Sequence, residues 1–326
     1  MNSNVLKPII QAILACFLWG FVFAMPVYLK SFSSLDIVLG RFMVYGVLSV
    51  LLFLFTTFIK KDTSCLKYWR QASLCAIVMN LIYFASLIYG SRFTAPSIIT
   101  LIIGTGPITI TVFSCLLKSD RRLLYLFIFP SVVIFFGLCL ISIEAIKNDV
   151  SSSTLFEHIQ GLLFGLISLT AWTWYVIFNS KVLRTNSEIK PVQWTALIGT
   201  ITFMFTLVGV YFQVSLNESE YFTQFSWELG KDFWIGILVL GLFCSWAAFT
   251  LWNMAGSRLH PALVGQLSIL ETIFGVALIY TFQGHLPSIL EISGAFCMLL
   301  GVSLGLYSFT KSQNQQKEQE FSNLSL

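Results

Sequence analysis

The residues best able to do chemistry in this chain are the few polar ones that interrupt long apolar stretches. Glu271 lies nine residues into a stretch that starts at Ala262, about 13 Å along a helix and near the middle of an apolar layer about 30 Å thick. A carboxylate there could bind an amine, take up a proton, or only bond neighbouring helices. Gln266 lies five residues earlier, about 140° round the helix, so the two side chains need not face one cavity.

Two more polar residues lie inside apolar stretches of the first half. Arg41 is six residues into the stretch from Leu35, about 9 Å from its end, so it can reach the interface by snorkelling. A structural or gating role is favoured over ligand binding. Asn80 lies at mid-depth, where its amide can bond either another helix or a substrate.

Five aromatic residues also fall well inside apolar stretches, although membrane tryptophans usually gather at the interfaces. They are Trp19, Tyr83, Trp172, Tyr175 and Trp246. Together they could line a cavity for an aromatic, apolar or cationic solute. Because aromatic residues make up 16% of the chain, core filling is the alternative for any one of them.

A group of helix breakers lies near the middle of one apolar stretch. Gly104, Gly106 and Pro107 stand close together there, and Pro removes a backbone hydrogen bond and clashes with the carbonyl four residues back. We expect a kink, which acts either as a hinge at a central site or as a static bend.

The composition makes the lipid bilayer the solvent of this chain. Of its 326 residues 56% are hydrophobic and only 10% charged, with a mean hydropathy of +0.82, whereas about a quarter of the residues of a soluble protein are charged. The seven cysteines read as small buried hydrophobes. The basic residues fall in connections, where membrane topology explains them better than nucleic-acid binding.

Motifs for bound groups and for catalysis are missing from the sequence. No Cys or His spacing fits a metal or haem site, so neither metal nor cofactor is expected. There is no phosphate loop of an ATP-driven pump, no HExxH, and no GxSxG with a plausible set of partners. An enzyme is therefore not predicted.

Apolar runs bounded by charge, Pro or Gly predict an all-α membrane protein with ten transmembrane helices. The predicted spans are Ile9 to Leu29, Leu35 to Ile59, Gln71 to Gly90, Thr94 to Leu117, Leu123 to Ile146, Ile159 to Phe178, Val192 to Val214, Phe233 to Asn253, Ala262 to Phe282, and Ser288 to Phe309. The first reads as a retained helix rather than a signal peptide.

The basic residues predict the direction of these spans. With the N-terminus inside, 14 of the 19 Lys and Arg residues lie on the cytoplasmic side, four lie outside, and Arg41 lies within a span. Positive loop residues favour the cytoplasm. Both termini are thus predicted to be cytoplasmic, in a multi-pass protein of the cell inner membrane. The tail 311–326 is polar and predicted to be disordered.

An internal repeat relates the two halves. Gly90-Ser91-Arg92-Phe93 recurs as Gly256-Ser257-Arg258-Leu259, and Pro96 and Pro261 follow the two copies. Each copy stands between the third and fourth predicted spans of its half. The following spans align without gaps at an offset of 165 residues.

Because five is odd, two homologous five-helix units in one chain must cross the membrane in opposite senses. The predicted units are 1–147 and 148–310, two inverted repeats around a central cavity. Secondary transporters often have this architecture, with the substrate site near the midplane. Channels can also carry inverted duplicates, and a duplication kept only for packing is the remaining alternative.

With its internal repeat and short motifs, the chain resembles the EamA-type branch of the drug/metabolite transporter superfamily. These are ten-helix carriers built from two five-helix repeats. The matching residues are Leu18-Trp19-Gly20, Arg41, Gly106-Pro107, Leu270-Glu271, Gly294 and Gly301. Two departures are Thr272, where the family often has Pro, and Gln283-Gly284-His285, where an acidic residue is often found. The resemblance implies that helices one to four and six to nine surround the cavity, with five and ten peripheral.

The predicted function is secondary transport of a small organic solute such as an amino acid, metabolite or drug. The carrier would work by alternating access as an exporter or facilitator, with protons as a candidate coupling ion through Glu271. The alternatives are a channel and a membrane-embedded enzyme acting on lipid. Expected partners are the substrate and the bilayer, and the expected state is a monomer or weak homodimer.

Overall fold

The computed structural model describes residues 3–29, 32–94, 96–117, 121–147, 154–216, 227–284 and 286–324, and within those ranges every regular element is a helix. Lys30, Lys118 and His285, which fall between the predicted spans, lie outside the described residues. The predicted all-helical class is confirmed for the described part of the chain.

The helices follow one another with short connections. In chain order they are α1 (Ser3–Tyr28), α2 (Ser34–Leu54, extended by the π-helical turn Phe55–Ile59), α3 (Trp69–Cys75, the π-helical stretch Ala76–Tyr83, and Phe84–Phe93), α4 (Pro96–Gly104), α5 (Gly106–Leu117), α6 (Arg121–Lys147), α7 (Leu155–Thr185), α8 (Pro191–Ser215), α9 (Trp227–Leu238, the π-helical stretch Val239–Ala247, and Ala248–Gly256), α10 (Pro261–Ser268), α11 (Leu270–Gln283) and α12 (Ile289–Leu324).

Helix ends follow the local sequence. The Thr154 hydroxyl accepts a hydrogen bond from the Glu157 N–H at 3.3 Å, and the Glu157 carboxylate accepts one from the Thr154 N–H at 2.8 Å, which caps the start of α7. Pro191 and Pro261 are the first residues of α8 and α10. The N–H that proline lacks would have no partner within the helix at this position. Gly284 ends α11 with a φ of 72°, which a residue without Cβ adopts easily.

Eight helical stretches in the described residues are long and apolar enough to cross a membrane: Leu35–Ile59, Leu66–Ser91, Leu124–Ile143, Leu155–Thr185, Pro191–Ser215, Gly230–Gly256, Pro261–Thr281 and Ile289–Ser312. The stretches Leu6–Val22 in α1 and Gly106–Leu117 in α5 are apolar but shorter. Large apolar side chains cover the outside, such as Leu117 at 73% and Phe136 at 58% exposure. Such a surface suits lipid and not water, while the count of ten crossings stays a prediction.

The second helix of each predicted repeat packs against its counterpart. Gly199 of α8 lies against Ser49 of α2, and Gly209 of α8 lies against Leu39 of α2. Residue numbers rise along one helix as they fall along the other, so α2 and α8 run antiparallel. The small residues let the two backbones approach closely.

The fifth helix of each predicted repeat makes the same kind of pair. Gly137 of α6 faces Gly294 of α12, and Ile134 of α6 faces Gly301 of α12. These two helices are also antiparallel, and they share the most extensive helix contact among the described residues.

The interruptions of the helices also recur in both halves. The π-helical stretches Ala76–Tyr83 and Val239–Ala247 interrupt α3 and α9. Single turn residues, Thr105 and Ile269, separate α4 from α5 and α10 from α11. The members of each pair are about 165 residues apart, the offset of the sequence repeat.

The tail differs from the expectation of disorder. Helix α12 continues to Leu324, so residues 311–324 are helical. Their Gln, Lys and Glu residues have good helix propensity, and they extend a helix that has already formed, which avoids the cost of nucleation.

The contact between α6 and α12 predicts a steep cost for added volume. A Cβ at Gly137 would lie 2.5 Å from the Gly294 carbonyl oxygen and 2.8 Å from Met298 Cγ. We expect Gly137→Val to lower the free energy of unfolding by about 1 to 3 kcal/mol, measured by thermal unfolding in detergent. Phe136→Leu, at the exposed neighbouring position, should change it by less than about 0.5 kcal/mol. Equal effects of the two would contradict this packing.

Candidate functional site

A cluster of aromatic side chains lies at the centre of the helical bundle. Trp172 of α7 is in its middle, with ring centroids at 5.8 Å to Trp19, 5.8 Å to Tyr83, 6.0 Å to Tyr175 and 5.9 Å to Trp252. Its members come from α1, α3, α7 and α9, so both predicted halves contribute. Four of the five aromatic residues chosen from the sequence are therefore brought together.

The fifth, Trp246, packs against the buried core but makes no ring contact with these aromatic residues among the described residues. Its ring is half-buried and its Nε1–H has no hydrogen-bond partner among the described residues. Trp252 takes the place in the cluster that Trp246 was expected to fill, and its ring is fully buried. The π-helical stretch between Val239 and Ala247 shifts the helix face, which period counting along an ideal helix cannot foresee.

Of the hinge residues expected from the sequence, Gly106 packs against this cluster. Gly106 lies directly under Trp172. A Cβ added at Gly106 would be 3.2 Å from the ring carbon Cδ1 of Trp172, which is a tight contact. At the break itself the Thr105 hydroxyl donates to the Ile102 carbonyl at 2.6 Å. Gly104 packs on Leu138 of α6, and Pro107 is buried. The Thr109 hydroxyl likewise donates to the Gly106 carbonyl at 3.0 Å, so two carbonyls at the break find partners in nearby side chains.

Beside the aromatic cluster lies a narrow crevice that is too tight to admit a water molecule. Its walls are Tyr45, Met79, Asn80, Tyr175, Ile198, Phe249 and Asn253. They belong to α2, α3, α7, α8 and α9. Small-molecule pockets usually measure about 300 to 1,000 Å³, so the side chains around this crevice must move apart before a ligand can enter it.

Asn80 is a lining residue whose hydrogen bonding is incomplete, as is Tyr175, whose hydroxyl makes no hydrogen bond with the described residues. The Asn80 side chain is 3% exposed, and its Nδ2 donates to the Thr202 hydroxyl oxygen at 2.7 Å. The Oδ1 atom has no partner among the described residues. Buried polar atoms are nearly always paired, so this oxygen is a candidate contact for a ligand.

A chain of fully buried amides frames the end of the crevice, and sequence reasoning missed it. Asn179 Nδ2 donates to Asn253 Oδ1 at 2.7 Å, and Asn253 Nδ2 donates to the Thr195 hydroxyl at 2.9 Å. The Trp194 indole donates to Asn179 Oδ1 at 2.7 Å, and the Tyr45 hydroxyl donates to the Thr195 carbonyl at 3.0 Å. Asn179 directly follows the sixth predicted span and Asn253 is the last residue of the eighth, so both stood at span ends, where a polar residue is expected.

Arg41 is buried at the level of the cluster and does not snorkel. It is 4% exposed, its Nε donates to the Ser245 hydroxyl at 2.7 Å, and its Nη2 lies 3.4 Å from the Cys244 carbonyl. The guanidinium stands 4.9 Å from the centroid of Phe84. The same Cys244 carbonyl accepts from the Trp19 indole at 2.9 Å, so a π-helical stretch of α9 supplies the acceptor that α1 and α2 share.

Glu271 lies at the other interrupted helix. It occupies the first turn of α11, directly after the break at Ile269, where the N–H ends of the helix favour a carboxylate. Cys16 of α1 covers this break, since its Sγ donates to the Leu267 carbonyl at 3.3 Å. Glu271 and Arg41 lie close enough to interact electrostatically, yet no ion pair within 4 Å joins these two described side chains.

Gln266 faces away from this region. Its Nε2 lies 3.3 Å from the Phe127 carbonyl and 3.2 Å from the Ser131 hydroxyl, both of α6. It therefore bonds the helix predicted to be peripheral. The angular offset from Glu271 already indicated that the two need not share a cavity.

The arrangement carries no candidate metal centre within the part of the chain that the structure describes, since no three His, Cys, Asp or Glu side chains gather there. Its chemistry is that of recognition: aromatic faces, an unpartnered amide oxygen, and a buried cation with a carboxylate nearby.

A family model matches this chain almost end to end. It describes the EamA-like transporter family and covers residues 6–143 and 159–307. The chain belongs to the EamA-like transporter family. The resemblance drawn from Trp19, Arg41 and Glu271 with their neighbours is thus confirmed, and the family indicates a transporter rather than an enzyme.

Two bacterial proteins are similar to this EamA-family chain. It is 25% identical over 304 residues to the inner membrane protein YtfF of Escherichia coli K12, covering 91% of this chain and 94% of that protein. It is 27% identical over 143 residues to an uncharacterized transporter of Haemophilus influenzae, covering 43% of this chain and 74% of that protein. A solved crystal structure shares the fold, with a TM-score of 0.69, 16% identity, and coverage of 93% of this chain and 96% of that one.

Charged residues join the two predicted halves of this EamA-family chain at one end of the bundle. Lys67 Nζ lies 2.6 Å from Glu188, and Lys190 Nζ lies 2.7 Å from Asp62. The connection between α2 and α3 is thereby tied to the connection between α7 and α8. We call Asp62, Lys67, Glu188 and Lys190 the interloop clasp. Tyr68 adds a hydroxyl 2.7 Å from Glu188.

The clasp shifts the pKa values of its carboxylates. The hydrogen bond from Lys67 lowers the pKa of Glu188 from 4.5 to about 2, and that from Lys190 holds the pKa of Asp62 well below its ordinary value. A carboxyl with a lowered pKa stabilises the folded state above its ordinary pKa and loses that contribution as the pH falls towards the lowered one. Asp62 likewise raises the pKa of Lys190.

We therefore expect the clasp to weaken in acid. The Tm of the wild type should exceed that of Glu188→Gln at neutral pH, and the difference should shrink as the pH falls from about 4.5 towards about 2. Raising the salt from about 0.15 M to about 1 M should also shrink it. The charge-exchanged Lys67→Glu, Glu188→Lys double variant should regain part of the Tm that either single change loses. A difference that is independent of pH and salt would refute the ion pair.

Proposed function

We propose that this EamA-family protein is a secondary transporter, an exporter or facilitator that moves a small organic solute such as an amino acid, metabolite or drug by alternating access. The observation that carries the proposal is that interrupted helices of both halves meet at one closed crevice. The π-helical stretch of α3 holds Met79 and Asn80, and Phe249 follows the π-helical stretch of α9. Discontinuous helices at matching positions of two repeats mark the substrate site of many transporters.

The proposal includes ten membrane crossings arranged as two inverted repeats, 1–147 and 148–310. The antiparallel packing of α2 with α8 and of α6 with α12 supports it, because equivalent helices of inverted units must run in opposite directions. Cytoplasmic termini follow from the 14 to 4 distribution of basic residues. A location in the cell inner membrane is supported by the likeness to YtfF.

Alternating access requires that the two ends of the crevice open in turn. The interloop clasp joins the halves at the end predicted to be cytoplasmic. At the opposite end the Tyr28 hydroxyl donates to Asp232 at 2.8 Å, and Thr94 and His158 share a hydrogen bond of 2.7 Å. Both sets link the two predicted halves. Breaking the interloop clasp while the opposite set holds would open the crevice towards the cytoplasm, and the reverse would open it towards the outside.

Proton coupling through Glu271 is part of the proposal. Its carboxylate lies at a helix break, interacts with the charge of Arg41, and has no ion pair within 4 Å among the described residues. An intramembrane carboxylate with such freedom can exchange a proton or a cationic group of the substrate during the cycle. Arg41, held by Ser245 and two aromatic rings, serves as the fixed countercharge.

Flux through the purified protein in liposomes tests the transporter class. We expect saturable uptake that is accelerated by unlabelled solute on the opposite side, because a carrier returns faster when it is loaded. A library of amino acids, nucleoside-like metabolites and drugs would be screened first by ligand-induced thermal stabilisation. Ohmic current would instead establish a channel, and product formation from lipid would establish an enzyme.

Glu271→Gln tests the coupling. Uptake by this variant should no longer respond to an imposed pH difference, since an amide cannot carry a proton. Glu157→Gln is the matched control, because Gln also serves in the capping box at the start of α7, and it should respond like the wild type. Wild-type uptake by Glu271→Gln at every pH difference would rule out coupling through this residue.

A further inference from the structure

We infer that the crevice binds a small, flat, uncharged portion of the solute that offers an N–H group to Asn80 Oδ1, as an amide or a nitrogen heterocycle does. The inference rests on the proposed transport function and specifies which chemistry the site selects. It depends on three features: the walls of the crevice, the orientation of the Asn80 amide, and the hydrogen bonds that the other polar atoms of the crevice already make.

The walls select an uncharged and flat group. Tyr45, Tyr175 and Phe249 provide aromatic faces, Met79 and Ile198 provide apolar ones, and none of the seven lining residues is charged. An ion in this crevice would lose its water without meeting an opposite charge, which is strongly unfavourable. A flat ring system instead gains by stacking and edge contacts with the aromatic walls.

The orientation of the Asn80 amide follows from its neighbour. The Thr202 hydroxyl already donates its hydrogen to the Ile198 carbonyl at 2.9 Å, so its oxygen can only accept. The Asn80 atom 2.7 Å from that oxygen must therefore be the donor, Nδ2. This leaves Oδ1 as the free atom, and an acceptor selects a solute with an N–H or O–H donor.

The second amide of the crevice has no such free atom. Asn253 accepts from Asn179 through Oδ1 and donates to Thr195 through Nδ2. The Tyr45 hydroxyl donates to the Thr195 carbonyl. These residues therefore hold the shape of the crevice, while Asn80 Oδ1 and the Tyr175 hydroxyl, which makes no hydrogen bond with the described residues, are left to meet the solute. An analogue without the donor would leave Oδ1 unpaired, at a cost of about tenfold in affinity for one neutral hydrogen bond.

Matched pairs of compounds test the inference on the full-length protein in detergent. Caffeine differs from theophylline only by a methyl group in place of the hydrogen of its one ring N–H, and N,N-dimethylbenzamide differs from benzamide by two methyl groups in place of its two amide hydrogens. Affinity is measured from ligand-induced thermal stabilisation. We expect theophylline and benzamide to bind at least about tenfold more tightly than their methylated partners, and benzoate to bind more weakly than benzamide.

Two variants assign the preference to Asn80. Asn80→Leu should abolish the preference for the N–H compound, while Gln11→Met, which alters an amide of α1 that bonds Met254, should retain it. Should Asn80→Leu fail to fold, Thr202→Val frees the Asn80 amide to turn, and the preference should narrow. A preference that is unchanged in Asn80→Leu or Thr202→Val would overturn the inference.

The outcomes separate this inference from the transporter proposal. Counterflow of some other solute, with no binding of either N–H compound, would overturn the inference and leave the transport function standing. Binding with the Asn80-dependent preference, but without counterflow of any bound compound, would support the site and refute transport.

Discussion

The absence of water in the hydrocarbon layer constrains everything else in this protein. Each backbone N–H and C=O that a helix leaves open must find a partner within the protein. The interruptions of α3, α4–α5, α9 and α10–α11 are accordingly met from inside the bundle. Cys16 reaches the carbonyl of Leu267, and Trp19 and Arg41 reach the carbonyl of Cys244. Irregular backbone and polar chemistry therefore occur at the same place.

That constraint explains why the candidate site lies at the interruptions. A regular helix in lipid uses up its own backbone groups and offers only side chains. Where the helix is interrupted, carbonyls and N–H groups become available, and they draw in polar side chains such as Arg41 and Ser245. The duplication supplies two sets of interruptions, and the crevice lies where helices of both halves meet.

The sequence predicted the class, the membrane and the family well, because these depend on hydropathy, charge and short motifs. It also indicated depth, since the rise per residue is constant, and Trp172, Tyr83 and Asn80 all lie near the crevice or the aromatic cluster. The direction in which each side chain points round its helix was less predictable. The π-helical stretch in α9 moved the cluster position from Trp246 to Trp252, and Gln266 turned towards α6.

Other features depend on partners distant in the chain, which a single sequence does not reveal. The amides Asn179 and Asn253 meet across 74 residues, and Arg41 finds Ser245 across 204. Expected snorkelling of Arg41 was a sound inference from its depth alone, but the Ser245 hydroxyl and the face of Phe84 hold it inside. The tail likewise follows α12 as a helix, although its composition alone favours disorder.

The position of Trp172 has a consequence for how the protein can be observed. Its indole touches side chains from three other helices and lies over Gly106 at the α4–α5 break. Indole emission depends on the polarity and the quenching groups around the ring, so any rearrangement of the bundle core changes the light that the molecule emits. Because the chain has nine tryptophans, the part of its emission that a Trp172→Phe variant lacks is the part that reports on this centre.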